Sequence, residues 1–140
     1  MKKQILTFLL IAIAGISSYA QCGKKNVLSS SVTEYLNTSG EIQRSQEELT
    51  TIEFDSKNII ITPGNNTMEG SIDSIYCDWK TPYKEGKTVI KTVLSGSNGR
   101  TMNGTITIEG KDGKLMLMAE FEEMPDTKIR VLLDKFEEKK

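Results

Sequence analysis

The fold class is decided by residues 88–121, which read TVIKTVLSGSNGRTMNGTITIEGKDGKLMLMAEF. Three β-favouring runs in this stretch are separated by Asn98-Gly99 and by Asp112-Gly113. The runs are residues 88–94, 105–108 and 115–121. Asn-Gly and Asp-Gly favour the two successive positive φ angles of a tight type I′ turn. The stretch therefore predicts two consecutive hairpins and three antiparallel strands.

Alternating apolar residues show which side of these strands faces the core. Three runs place their apolar residues two apart: Leu115, Leu117, Ala119 and Phe121, then Ile129, Val131 and Leu133, and Ile106 with Ile108. This period is typical of half-buried strands. Met116, Met118 and Leu132 fall on the opposite faces, so part of the second surface is expected to be covered as well.

The rest of the chain continues the pattern of short runs and turn residues. Further strands are predicted over residues 27–36, 43–54, 59–62, 68–76 and 128–136. Helix formers at 43–49 leave a helix across 43–55 as an alternative, but the β-branched run at 50–54 favours a strand. The prediction is an all-β, antiparallel up-and-down meander of about eight strands, forming a barrel or a β-sandwich.

The N-terminus predicts export. Lys2 and Lys3 precede an apolar run over residues 5–16, and Ser18 and Ala20 occupy the small positions of a cleavage site. These features indicate a signal peptide, residues 1–20, followed by a single domain over 21–140. The alternative, an uncleaved anchor, needs a longer apolar run. We therefore expect a periplasmic or extracellular protein without a transmembrane segment in the mature chain.

Both cysteines, Cys22 and Cys77, lie beyond the predicted cleavage site. In an oxidising compartment an even pair predicts one intramolecular disulfide. Lipidation of Cys22 is the alternative, with lipid anchoring of the exported chain. Tyr19 and Gln21 stand where lipoprotein signals usually carry an aliphatic and a small residue, which favours the disulfide.

Composition excludes several kinds of chemistry. The chain has no histidine, and its formal net charge is −1. Histidine-dependent catalysis is therefore excluded, and the lack of a basic stripe argues against a nucleic-acid partner. No phosphate-binding, dinucleotide or zinc motif occurs, so we predict no catalytic residue, no metal and no cofactor. Carboxylates remain as the one catalytic option: Glu120, Glu122, Glu123, Asp73 and Asp78.

Residues 77–84, CDWKTPYK, are the candidate binding segment. If exposed, Trp79 and Tyr83 would anchor a ligand or partner, with Lys80 and Lys84 at the rim. The alternative is favoured: Cys77 and Trp79 are two apart on a strand and face inward together, with the indole packed on the disulfide.

The order of elements resembles the lipocalin-like small barrels, including small barrel proteins that bacteria export. The first strand, over residues 25–30, lies where that family often carries a Gly-x-Trp signature. Gly23 is present in this chain, and the tryptophan is missing. The resemblance covers most of the mature chain in architecture and implies a ligand cavity at a barrel mouth.

Three functions follow as hypotheses. The first is a non-enzymatic envelope or extracellular binding protein that takes a small apolar ligand inside a barrel or a partner on its rim. The second is a protein-interaction or inhibitor domain that uses the loop from Trp79 to Lys84. The third is a histidine-free hydrolase built on carboxylates. The sequence favours the first.

Overall fold

A computed structural model describes residues 22–139 and shows one closed barrel of eight antiparallel strands. The strands are β1 Asn26–Leu36, β2 Ile42–Phe54, β3 Asn58–Pro63, β4 Met68–Thr81, β5 Glu85–Gly96, β6 Thr101–Lys111, β7 Lys114–Phe121 and β8 Lys128–Glu138. Each strand pairs with its neighbours in the chain, and β1 pairs with β8 to close the barrel. The predicted up-and-down meander is confirmed, and of the two alternatives it is a barrel. The predicted signal peptide and its cleavage site lie outside the described residues.

The two hairpins of residues 88–121 form, with different turns. Asp112 and Gly113 have φ angles of 54° and 76°, as a type I′ turn requires. At the other turn only Gly99 is left-handed, with φ of 78°, and its amide donates to the Gly96 carbonyl at 3.1 Å. The type I′ prediction for Asn98-Gly99 is therefore wrong. The loop has three residues, 97–99, rather than two, so a type I turn is followed by Gly99 in the left-handed conformation.

Side chains fill most of the barrel interior. The fully buried apolar residues come from five strands: Leu28, Ile52, Phe54, Ile59, Ile90, Leu94, Ile106 and Ile108. Trp79 of β4 is nearly so. Leu117, Ala119, Phe121 and Val131 also face the core, as their alternation predicted. On the outer face the expected covering is partial, since Met116 and Met118 are half-buried while Leu132 is 44% exposed.

Residues 43–54 lie in β2, so the strand interpretation is confirmed and the helix alternative is wrong. The first half of β2 is largely exposed, and its buried half begins at Thr50. The reason is the short β3, which pairs with β2 only from Thr50 to Phe54. Residues 42–47 therefore pair with β1 alone and extend the barrel wall at that end.

Candidate functional site

One end of the barrel is closed by four aromatic side chains, here called the aromatic end: Phe54, Trp79, Tyr83 and Phe136. Phe136 lies at its centre. Its ring centroid is 5.5 Å from that of Trp79 and 4.8 Å from that of Tyr83, both edge to face. This geometry is the favoured one for aromatic pairs, and it packs this end of the interior with rings.

The disulfide between Cys22 and Cys77 lies beside the aromatic end, with the Cα atoms 6.2 Å apart. The predicted disulfide is therefore confirmed. The Thr88 hydroxyl accepts a hydrogen bond from Trp79 Nε1 at 2.7 Å and lies 3.4 Å from Cys77 Sγ. A disulfide sulfur carries no hydrogen, so Thr88 is the donor to Cys77. This one hydroxyl ties the indole to the disulfide.

The predicted binding segment does not expose its aromatic residues. Trp79 is 2% exposed in β4, and Tyr83 is half-buried with its hydroxyl donating to Asn26 Oδ1 at 2.6 Å. The inward interpretation of Cys77 and Trp79 is confirmed, but the indole packs edge-on against Phe136. Lys80 and Lys84 are exposed, so a partner at this segment would meet lysines without aromatic anchors.

Tyr83 adopts a backbone conformation that is rare for a large side chain. Its φ is 63°, and Lys84 N donates to the Thr81 carbonyl at 3.1 Å. This is a type II turn with Pro82 at the second position and Tyr83 where glycine is usual. The hydrogen bond to Asn26 and the ring contact hold the strained residue in place. Burial, and then the nearby Glu138 carboxylate, raise the pKa of Tyr83 above its ordinary value.

Replacing Tyr83 with phenylalanine is expected to lower the free energy of unfolding by about 1 kcal/mol through loss of the hydroxyl contact. The raised pKa adds a pH effect. A tyrosine whose pKa is higher in the folded state contributes stability below pH 10.0, its ordinary pKa, and loses that contribution as the pH rises through the folded value. Urea unfolding below and above pH 10.0 measures the effect. The free energy of unfolding should fall less at alkaline pH in Tyr83→Phe than in the parent. Equal losses would contradict the assignment.

The opposite end of the barrel holds an interior cavity of about 130 Å³, here called the mouth pocket. Its walls come from β1, β2, β3, β4, β7 and β8. It is lined by Thr33, Tyr35, Glu48, Thr50, Ile52, Ile61, Pro63, Met68, Leu117, Ala119, Phe121, Ile129 and Val131. Nine of these side chains are aliphatic or aromatic hydrocarbon or thioether groups, so the pocket is mainly apolar.

A β-bulge in β1 determines which side chains face the mouth pocket. In the ladder to β8, β1 has one extra residue between Ser30 and Val32. The Ser30 hydroxyl accepts from the Val32 amide at 3.2 Å and donates to the Val32 carbonyl at 2.9 Å. Because a bulge adds one residue, it reverses the alternation beyond it. Thr33 and Tyr35 consequently line the pocket. Counting by twos from Leu28 would have turned Thr33 outward.

Two threonines that line the mouth pocket have hydroxyls that are buried without a hydrogen-bond partner. Thr33 is 6% exposed and Thr50 is 3% exposed, and within residues 22–139 neither Oγ1 atom has a partner. The buried threonines elsewhere in the barrel differ. Thr92 donates to the Ser71 carbonyl at 2.6 Å, and Thr88 bonds Trp79 as described. The unpaired hydroxyls are therefore confined to the pocket.

The carboxylates singled out from the sequence lie on the outer surface. A groove of about 390 Å³, open to solvent, is lined by three of them, Asp73, Glu120 and Glu122, among other residues. Glu123 accepts hydrogen bonds from the backbone and side-chain amides of Asn103, which lower the pKa of Glu123. A general acid in a glycosidase needs a raised pKa, so this shift has the opposite sign.

Comparisons of the chain with protein-family models, with curated proteins and with solved structures return no match. Over residues 22–139, no group of three or more acidic, cysteine or histidine side chains could hold a metal ion. No helix in the same residues has the length and hydropathy to cross a bilayer. The interpretation of function therefore depends on the geometry of the barrel ends.

Proposed function

We propose that this chain is an exported, non-enzymatic binding protein that holds a small, mainly apolar ligand in the mouth pocket. The single observation that supports the proposal is the position of that pocket. It is an apolar space inside the barrel, at the end opposite the aromatic end. Eight-stranded barrels commonly hold one small ligand in such a place, which is also what the lipocalin-like resemblance implies.

The pocket volume limits the ligand. Sites for drug-sized molecules span roughly 300–1,000 Å³, whereas apolar cavities near 150 Å³ in other proteins take up benzene. The mouth pocket, at about 130 Å³, fits the second class. The ligand is thus a molecule of ring size, or the end of a longer chain that enters past the rim.

Two further observations support the non-enzymatic and exported parts of the proposal. The chain has no histidine, and its clustered carboxylates lie in an open groove rather than a closed cleft. The disulfide of Cys22 with Cys77 is of the kind that persists outside the reducing cytosol. The competing interaction hypothesis would depend mainly on Lys80 and Lys84, because Trp79 is inside the barrel and Tyr83 is half-buried.

Benzene provides the direct test of the pocket. Titration of the oxidised protein, followed by amide chemical shifts, should show saturable binding with a dissociation constant on the order of 1 mM, as expected for so small a ligand. Ala119→Leu adds three carbon atoms inside the pocket and should weaken binding by roughly tenfold or more.

Ile108→Val is the matched control for this test. Ile108 is buried in the core but does not line the pocket, so the variant should bind benzene as the parent does despite a loss of about 1 kcal/mol in stability. Shift changes that never saturate, or unchanged binding in Ala119→Leu, would contradict the proposed function.

A further inference from the structure

We propose that Thr33 and Thr50 form a polar subsite in the mouth pocket, which selects ligands that carry a neutral hydroxyl group on a small apolar body. The inference rests on the proposed function and specifies its ligand class. It derives from two threonines that line the same pocket and whose buried hydroxyls lack hydrogen-bond partners.

An unpaired buried hydroxyl lowers stability, because the group has lost its hydrogen bonds to water and gained none in return. Valine has nearly the shape of threonine without the hydroxyl. A pocket for a purely hydrocarbon ligand would therefore be served better by valine at both positions. The pairing of Thr88 and Thr92 elsewhere shows that this barrel can satisfy buried threonines. Thr33 and Thr50 are exceptions to this pairing, and we interpret their hydroxyls as groups that bind a ligand.

The strand registers place both threonines in the pocket wall. Thr50 pairs with Pro63 across the ladder to β3, and Thr33 pairs with Val131 across the ladder to β8. Pro63 and Val131 also line the pocket, so both threonines lie within its wall. Both Oγ1 atoms are buried in this wall, so a rotation about χ1 is needed to turn either hydroxyl toward the cavity. A ligand hydroxyl both donates and accepts, and it can then satisfy either threonine.

Charge in the pocket favours a neutral group over an anion. Glu48 is the one charged residue among those lining the pocket, and it is half-buried. A ligand carboxylate would have to leave water and then approach this acid, and both changes are unfavourable. The neutral hydroxyl loses less on desolvation and can donate to an acceptor.

Phenol and benzene are the matched probes, because they share a ring and differ by one hydroxyl. Benzoate carries a carboxylate on the same ring and tests the argument about charge. In the parent protein we expect phenol to bind more tightly than benzoate by roughly tenfold or more. Either Thr33→Val or Thr50→Val should weaken phenol binding by roughly fivefold, while benzene binding changes by less than about twofold. The single variants identify which hydroxyl meets the phenol.

Thr92→Val is the control for general effects of removing a buried hydroxyl, since Thr92 lies outside the pocket and is paired. It should leave the phenol-to-benzene ratio unchanged and lower the thermal midpoint. Thr33→Val and Thr50→Val should each raise that midpoint, by roughly 3 °C, because they remove an unpaired group.

The outcomes separate this inference from the proposed function. If neither benzene nor phenol binds, the proposed function fails and the subsite fails with it. If both bind but neither threonine variant changes their ratio, the pocket stands and the subsite is wrong. Tighter binding of benzoate than of phenol would also overturn the inference.

Discussion

Removing the disulfide between Cys22 and Cys77 is expected to lower the free energy of unfolding by about 4 kcal/mol. The two cysteines are 55 residues apart in sequence, and the disulfide closes a loop that contains β1, β2, β3 and most of β4. In the chain-entropy model, releasing a loop of this length gives the unfolded state that much additional freedom. Domains are commonly stable by about 5–15 kcal/mol, so this loss is a large share.

The measurement compares the parent with Cys22→Ser/Cys77→Ser by urea unfolding, extrapolated to zero denaturant. Midpoints alone would mislead, because the unlinked unfolded chain is more expanded and changes the denaturant slope. The parent protein unfolded under reducing conditions is the control and should match the double variant. A loss below about 1 kcal/mol would show that the loop is already restricted in the unfolded chain.

The fold could be predicted from the sequence because its signals are local. Asp112-Gly113 specifies a turn, and the alternation of residues 115–121 gives the inward face without knowledge of any other strand. The disulfide could also be predicted, since the chain has only two cysteines and both lie beyond the apolar N-terminal run. The sequence did not decide whether the strands form a closed barrel or a β-sandwich. It depends on the pairing of β1 with β8, which are separated by nearly the whole described chain.

The resemblance implies a cavity at a barrel mouth, but the inward positions of Thr33 and Tyr35 in its wall could not be predicted because they depend on a register slip. The bulge at Ser30 has no clear sequence signature, since three serines follow one another at 29–31. Only the ladders on both sides of β1 show that Thr33 turns inward. At the aromatic end the sequence left two interpretations of Trp79 open and favoured the inward one, which is confirmed. Trp79 and Tyr83 stand among lysines and a proline, which is typical of an exposed loop, yet β4 continues to Thr81 and carries the indole inside.

The two ends of the barrel therefore have different physical roles. At the aromatic end the buried Thr88 hydroxyl has two hydrogen-bond partners, Trp79 and Cys77, and the disulfide adds a covalent link. At the other end hydroxyls of Thr33 and Thr50 are buried without partners around an apolar space. A region whose polar groups are satisfied stabilises the fold, and an unsatisfied region beside a cavity agrees with the binding site proposed above.

This division predicts that truncating the central ring of the aromatic end lowers stability without lowering ligand affinity. Phe136→Ala should reduce the free energy of unfolding by about 3 to 5 kcal/mol, because it removes a buried ring that contacts Phe54, Trp79 and Tyr83. Phe136 does not line the mouth pocket. At low temperature, where the variant remains folded, its affinity for benzene should stay within about twofold of the parent.

Leu132→Ala on the same strand is the control, since Leu132 is 44% exposed on the outer face and its truncation should cost less than about 1 kcal/mol. Urea unfolding gives the stabilities and amide chemical shifts give the affinities. Weaker benzene binding in folded Phe136→Ala would mean that the two ends are coupled through the packed interior. Tighter or additional binding would mean that the truncation has opened a second cavity, and that the aromatic ring is what closes that end in the parent protein.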